Sequence, residues 1–266
     1  ILAMINADWE GAERRLGRAV TLGREVGSVR RFEEASMGLI GSLYYQSKWD
    51  ASKVTNNNLI EMAERHGSRQ AIAWALDNIG RYALREGRLD EAHDTFRRSL
   101  ALYRQVSDNV NAVWCLGAIA KTYLSEGNME AARPYIEDVT AALRETRPTS
   151  SGMTEPFSAA AEYYLLLWEQ CATDPSIPEE TRGDIARKAQ QAVNALKTYA
   201  SVFVLARPRA YAFRGWRRRL EGRMLEARLM GRRAVREAVR LNMPYDEGVN
   251  WVELARHYEY GDPRRE

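Results

Sequence analysis

The chain is poor in the features that would mark it as an enzyme, a secreted scaffold or a membrane protein. It has two cysteines in 266 residues, Cys115 and Cys171, far apart in helical apolar patterns, which argues against a disulfide framework and makes a reducing, cytoplasmic setting the default. No stretch approaches the roughly 18 consecutive apolar residues of a membrane span. No run alternates with period two for long enough to argue for a strand. A phosphate-cradling glycine loop, a dinucleotide fingerprint after a strand and a nucleophile elbow are all missing. The three histidines, His66, His93 and His257, stand without a carboxylate or cysteine at metal-ligand spacing, so capping or solvent exposure accounts for them. Carboxylate pairs such as Glu33 with Glu34, Asp90 with Glu91 and Glu179 with Glu180 fall at expected helix starts, where acid suits the helix dipole. The expectation is a non-catalytic chain with no metal and no cofactor.

What is present is a repeat of 40 residues. Trp9, Trp49, Leu89 and Met129 fall in step, as do Ala12, Ser52, Ala92 and Ala132. Further columns keep the same register: Leu22, Met62 and Leu102, then Gly27, Gly67 and Ser107, then Leu39, Ile79 and Ile119. A column of Ser28, Ser68 and Asp108 follows the small residues, and its oxygens can accept from the free amides of a helix start. Such a period means stacked helical hairpins, in which each unit buries its apolar stripe against its neighbours. A linear array grows without enlarging one spherical core, so residues 1–266 read as one repeat domain despite their length. Charged residues make up 28% and apolar ones 45%, so the chain is neither membrane-embedded nor broadly disordered.

The apolar spacing predicts helices over 7–24, 29–46, 49–66, 69–86, 89–106, 109–126, 129–145, 157–172, 179–204, 208–221, 223–241 and 246–260. Leu76, Ile79, Gly80 and Ala83 line one face of the fourth, and Leu89, Ala92, Phe96 and Leu100 one face of the fifth. Connections of two to four residues make sequence neighbours antiparallel. The rhythm breaks after Thr146: 147–156 and 174–178 are loops by composition, around a stretched hairpin spanning 147–206. Phase returns with Gly215, Gly222, Met224, Ala227, Gly231 and Ala234, in an arginine-rich hairpin and final helix over 207–266. Pro134 lies inside an expected helix, which either starts late or bends there. Ile1 to Ile5 read as the tail of a helix, as in a piece of a longer polypeptide.

The segment Asp77 to Ala92 resembles the tetratricopeptide repeat. Gly80 takes the small position where two helices touch, Gly87 the turn, Leu89 the bulky opening of the second helix and Ala92 the next small contact, followed by Phe96 and Ser99. Ala120, Tyr123, Gly127, Met129, Ala132, Ile136 and Val139 repeat the pattern. The family's common unit is six residues shorter, which adds about 9 Å of helix per hairpin here. HEAT-like repeats share the longer period and remain the structural alternative, although they lack the pattern of small residue, turn, aromatic and alanine. The resemblance implies an all-α, right-handed superhelical solenoid. Its first helices would line a partner-binding groove, placing there Tyr44, Tyr45, Trp74, Asp77, Arg81, Arg85, Trp114, Lys121, Leu124, Arg209 and Trp216. Trp74 and Trp114 are themselves one period apart, and either offer a ligand surface or seal contacts between hairpins. The Lys and Asn pattern that clamps a C-terminal carboxylate is not reproduced.

Charge is segregated. Residues 207–240 hold twelve Arg and three Glu, a net of +9, which leaves −6 for the rest of a chain totalling +3. Arg228, Arg232, Arg236 and Arg240 form a stripe along one helix, with Arg214 and Arg218 on its partner. Acid to balance them has three sources: neighbouring repeats, another domain or protein, or a nucleic-acid or phosphate ligand. The helical spacing of Tyr211, Phe213 and Trp216 suits packing better than base stacking, which disfavours nucleic acid. The last segment, Arg240 to Gly248, Glu253 to His257 and Gly261 to Pro263, resembles the C-terminal repeat region of bacterial STAND-class signalling ATPases. That resemblance implies the sensor or scaffold arm of a multidomain regulator, binding a protein, another domain of the parent or a small inducer. The rival function is constitutive scaffolding or homodimerisation.

Overall fold

The computed structural model describes residues 7–145, 150–174 and 176–258. Among these the helices are α1 (Trp9–Glu25), α2 (Val29–Tyr45), α3 (Trp49–His66), α4 (Arg69–Arg85), α5 (Leu89–Gln105), α6 (Asn109–Ser125), α7 (Met129–Glu145), α8 (Thr154–Thr173), α9 (Glu179–Val202), α10 (Arg207–Leu220), α11 (Met224–Arg240) and α12 (Pro244–Ala255). Short 3-10 turns occupy Ser151–Met153 and Val204–Ala206, and no strand occurs among the described residues. Contacts divide the chain into two compact units, 1–128 with α1 to α6 and 129–266 with α7 to α12. In each, even-numbered helices are the first helices of repeat units and odd-numbered ones the second, and sequence neighbours pack on one another.

A left-handed turn closes the regular helices. Positive φ occurs at Ala7, Gly27, Ser47, Gly67, Gly87, Ser107 and Gly127, and again at Gly222 and Asn242. The spacing is therefore 20 residues, half the period visible in side chains, because the turn between repeat units is the same as the turn within them. At eight of these nine turns the next amide donates back to a carbonyl of the last helical turn, as Ser28 N to Gly23 O at 2.8 Å and Arg88 N to Ala83 O at 2.8 Å. This is the Schellman arrangement, which satisfies carbonyls that a helix end would otherwise orphan. The expected capping column acts only in part. Asp108 accepts from Asn111 N at 3.2 Å, whereas Ser28 and Ser68 make no side-chain cap, and their backbone carbonyls alone receive the next helix.

Packing inside a pair follows the small residues. A Cβ on Gly80 would lie 2.5 Å from the ring of Phe96, so only glycine lets α4 and α5 meet there. Phe96 is fully buried, and such a side chain contributes about 2–3 kcal/mol by leaving water. Polar cores supplement this. Ser52 Oγ donates to Ile40 O at 3.0 Å and lies 2.8 Å from Tyr82 Oη, while Asn78 Nδ2 donates to Asn56 Oδ1 at 3.1 Å. In the second unit Tyr199 stacks between Phe157 and Phe203, with ring centres 4.8 Å from each, and anchors the longer α9.

Several boundaries differ from expectation. The helix expected from 157 begins at Thr154, because Pro156 falls in its first turn, where a missing amide costs nothing. The helix expected over 246–260 runs Pro244–Ala255. Pro134 sits inside a helix that starts at Met129, which removes the late-start reading. The expectations for Ile1 to Ile5, for 146–149, for Pro175 and for Gly261 to Pro263 lie outside the described residues.

Candidate functional site

In the first unit the 40-residue period brings equivalent positions of α2, α4 and α6 side by side. Arg30 Nη1 donates to Gln70 Oε1 at 2.9 Å, and Gln70 Nε2 donates to Asp108 Oδ2 at 2.9 Å. One such lane joins the starts of all three first helices. A second lane is aromatic and cationic. The Arg81 guanidinium lies 5.3 Å from the centre of the Tyr44 ring and 4.4 Å from that of Trp114. One turn on, Arg85 Nε donates to Tyr44 Oη at 2.8 Å. Lys121, half-buried, follows one period after Arg81 on α6. A flat cation held against two rings keeps its charge while its rotamers are fixed, which suits it to receive carboxylate.

Other expected groove residues lie elsewhere. Tyr45 turns to α1 and stacks on Trp9 at 6.1 Å. Trp74 and Trp114 are buried, at 9% and 3% exposure, with Arg30 over the first and Phe96 edge-on to the second. Both indoles therefore pack into hairpin contacts, Trp114 while also lying under Arg81 in the second lane, and Leu124 is buried as well.

Asp77 is a joint rather than a surface group. It is buried and accepts from Ser99 Oγ at 2.7 Å, Tyr103 Oη at 2.5 Å and Cys115 Sγ at 3.1 Å. One carboxylate thus ties α4 to α5 and α6. Burial raises its pKa to about 6 against the opposing hydrogen bonds and Arg81. The same burial, with Asp77 beside them, pushes Tyr103 and Cys115 well above their ordinary values. His93 is likewise buried, correcting the expectation of capping or exposure, and its Nε2 lies 2.9 Å from Glu126 Oε1. His66 is exposed. Glu33 is not at a helix start either: it lies a full turn into α2, at 3% exposure.

The second unit uses its expected groove residues internally. Arg209 pairs with Glu155 at 2.8 Å and Asp246 at 3.0 Å, bridging α8, α10 and α12. Glu169 accepts from Trp216 Nε1 at 3.1 Å, Arg219 at 2.7 Å and Arg256 at 2.9 Å. Burial alone would raise the Glu169 carboxyl, but the two guanidiniums outweigh it and hold it below the usual range. Glu253, beside Arg256, is raised to about 7 by burial. His257 fills the space left by Gly215, where a Cβ would lie 3.0 Å from Nε2. Burial, then Arg219, Arg256 and Arg228, lower it to about 4, so it is neutral. The pairing of Glu169 with Arg256 has no local sequence signal, because the two stand 87 residues apart.

The basic stripe is balanced unevenly. Arg218 meets Glu221 at 2.6 Å and Glu226 at 3.2 Å, and Arg240 meets Glu237 at 2.8 Å. Arg228 donates to His257 O at 2.9 Å and Arg232 to Tyr258 Oη at 3.0 Å, while Arg214 lies 5.5 Å from the centre of the Tyr211 ring. Arg236 is exposed on α11. Among the described residues no acidic side chain pairs with Arg214, Arg228, Arg232 or Arg236. No group of three or more His, Cys, Asp or Glu that could hold a metal occurs among them either.

Residues 31–105 and 71–145 match the tetratricopeptide repeat family. No curated protein matches the chain significantly. Among solved structures, a tetratricopeptide repeat protein from Parabacteroides merdae ATCC 43184 is similar, with 13% identity and a TM-score of 0.40 over 93% of this chain and 99% of that one. Arrays of this kind are protein-interaction scaffolds and typically non-catalytic. Among the described residues the chain is an all-α array of helical pairs, and its segment 31–145 is similar to tetratricopeptide repeats.

Proposed function

We propose that the chain is the non-catalytic, partner-binding arm of a multidomain bacterial signalling protein, and that it receives an acidic, extended segment along α2, α4 and α6. The observation carrying this reading is Arg81, held between Tyr44 and Trp114 with Arg85 and Lys121 on the same lane. The parent context rests on the resemblance of Arg240 to Gly248 and Glu253 to His257 to STAND-class repeat regions, and on a cytoplasmic setting with reduced Cys115 and Cys171, both free and buried. The partner is another domain of the parent or a separate protein. It acts by differential affinity, since a segment that fits one arrangement of the three helices better shifts the parent toward that state.

The test is binding of fluorescein-labelled acidic peptides, with and without an aromatic residue, measured by anisotropy. Arg81→Glu and Lys121→Glu are expected to weaken binding about tenfold or more, and salt to weaken it in the unsubstituted chain. Unchanged affinity in both variants would sink the reading. A thermal shift with a small metabolite and none with peptide would favour an inducer sensor instead.

A further inference from the structure

The outer face of α11 breaks the rule that the other second helices keep. Counting from each left-handed turn, positions three, seven, ten, fourteen and seventeen residues on share one stripe, because steps of four and three return to the same side of a helix. In α11 these are Leu225, Leu229, Arg232, Arg236 and Val239. Leu225 is 75% exposed, Leu229 57% and Val239 55%. The same positions of α3 include Asp50, Glu61 and Glu64, and those of α5 include Asp90 and Asp94. Of the ten positions in α3 and α5, Val54 is the one large apolar side chain. The repeat thus supplies its own control: fold and register are constant, and of the three second helices compared, α11 alone shows an apolar stripe to solvent.

The stripe is also charged at its centre. Arg232 donates to the Tyr258 hydroxyl, and neither Arg232 nor Arg236 has an acidic partner among the described residues. Arg228 and Arg233 bend aside, their guanidiniums 4.6 Å from the centres of the Tyr258 and Tyr211 rings, which leaves the middle of the face open. Elsewhere in the hairpin acid was available and was used, as Glu221, Glu226 and Glu237 show.

We propose that this face docks an amphipathic helix of another protein, apolar at both ends of its contact stripe and acidic in the middle. Leucines of the partner cover Leu225, Leu229 and Val239, and its carboxylates meet Arg232 and Arg236. A second copy of this chain is disfavoured, because pairing α11 with itself in either direction sets arginine against arginine. A lipid surface is disfavoured because the guanidiniums lie within the apolar stripe rather than along its edges, so insertion would drag them into the acyl layer. The stripe shares no residue with the lane on α2, α4 and α6, and the proposal stands independently of the reading given for that lane.

The test uses the full chain and a synthetic helical peptide about 20 residues long, with leucines at the ends of a four-three stripe and two glutamates at its centre. A second peptide carries lysines in place of the glutamates. The glutamate peptide is expected to bind, and to lose about tenfold or more in affinity with Arg232→Glu/Arg236→Glu and with Leu225→Asp/Leu229→Asp. The lysine peptide is expected to bind only the doubly glutamate-substituted chain. These positions are exposed, and unchanged circular dichroism confirms that the variants fold. Equal binding of both peptides, or none of the glutamate peptide, overturns the proposal. So does a dimer in sedimentation that Leu225→Asp/Leu229→Asp dissolves, or capture by phosphatidylserine vesicles with the peptide ignored.

Discussion

Asp77 couples ionisation to folding, because its carboxyl is buried and its three donors come from two other helices. The folded pKa of about 6 lies above the ordinary carboxylate value of 3.8, so the native state binds the extra proton between those limits. Stability from this group is fully present below about pH 4 and is lost as pH rises through about 6. A shift of about two units corresponds to about 3 kcal/mol. Asp77→Asn is expected to remove this slope: urea midpoints at pH 4.5 and 7.5 should then differ less than in the unsubstituted chain. An unchanged slope would assign the effect to other groups. In the second unit His257 and Glu253 titrate in overlapping ranges with opposite signs, since one is buried as a neutral base and the other as a raised acid.

At the level of the helix and its turn, the left-handed positions decide where each segment stops. Glycine occupies Gly27, Gly67, Gly87, Gly127 and Gly222, but serine adopts the same geometry at Ser47 and Ser107, with φ of 58° and 57°. A side chain there costs about 1–2 kcal/mol relative to glycine. Ser107→Gly is therefore expected to stabilise the chain by about 1 kcal/mol, read as a higher midpoint in thermal or urea unfolding; a lower midpoint would show that the serine hydroxyl does more than fill the turn. The same residues explain what was legible in advance. The glycines, the small contacts such as Gly80 and Ala92, and the apolar stripes are local signals, so helix order and register could be read from them. Ser47 falls in the connection between the helices expected over 29–46 and 49–66, but its left-handed geometry was not legible, because serine carries no conformational signature of its own. The fates of Asp77, Tyr45, Trp114 and Arg209 were hidden for a different reason. Whether a groove position faces solvent, a neighbouring ring or a distant carboxylate depends on the residue one or two repeats away, as with Arg209 and Glu155, 54 positions apart.

Across the whole chain, the excess of arginine over 207–240 divides into two parts. The guanidiniums of α10 that meet Glu155, Glu169, Glu221, Glu226 and Asp246 hold helices together. Arg232 and Arg236, on the outer face of α11, meet no carboxylate among the described residues. Repeat arrays draw their stability from neighbouring contacts, so one unit can be removed without dissolving the others. Excision of residues 28–67 joins Gly27 directly to Ser68, which continues into α4 as Ser28 continues into α2. The shortened chain is expected to stay helical by circular dichroism and to unfold cooperatively, with a lower midpoint. Loss of most helical signal would mean that its stability is not built from neighbour contacts.

The turns repeated at 20-residue intervals from Ala7 to Gly127 also constrain how such a gene can change. Every turn offers an equivalent junction, so unequal crossing-over can insert or delete segments with no local misfit in the backbone. Only even numbers of helices survive, because a step of 20 residues would place a second-helix face where a first-helix face must pack. The array can therefore be lengthened or trimmed in quanta of 40 residues, with the residues of its cationic lane and of its apolar outer stripe each preserved intact.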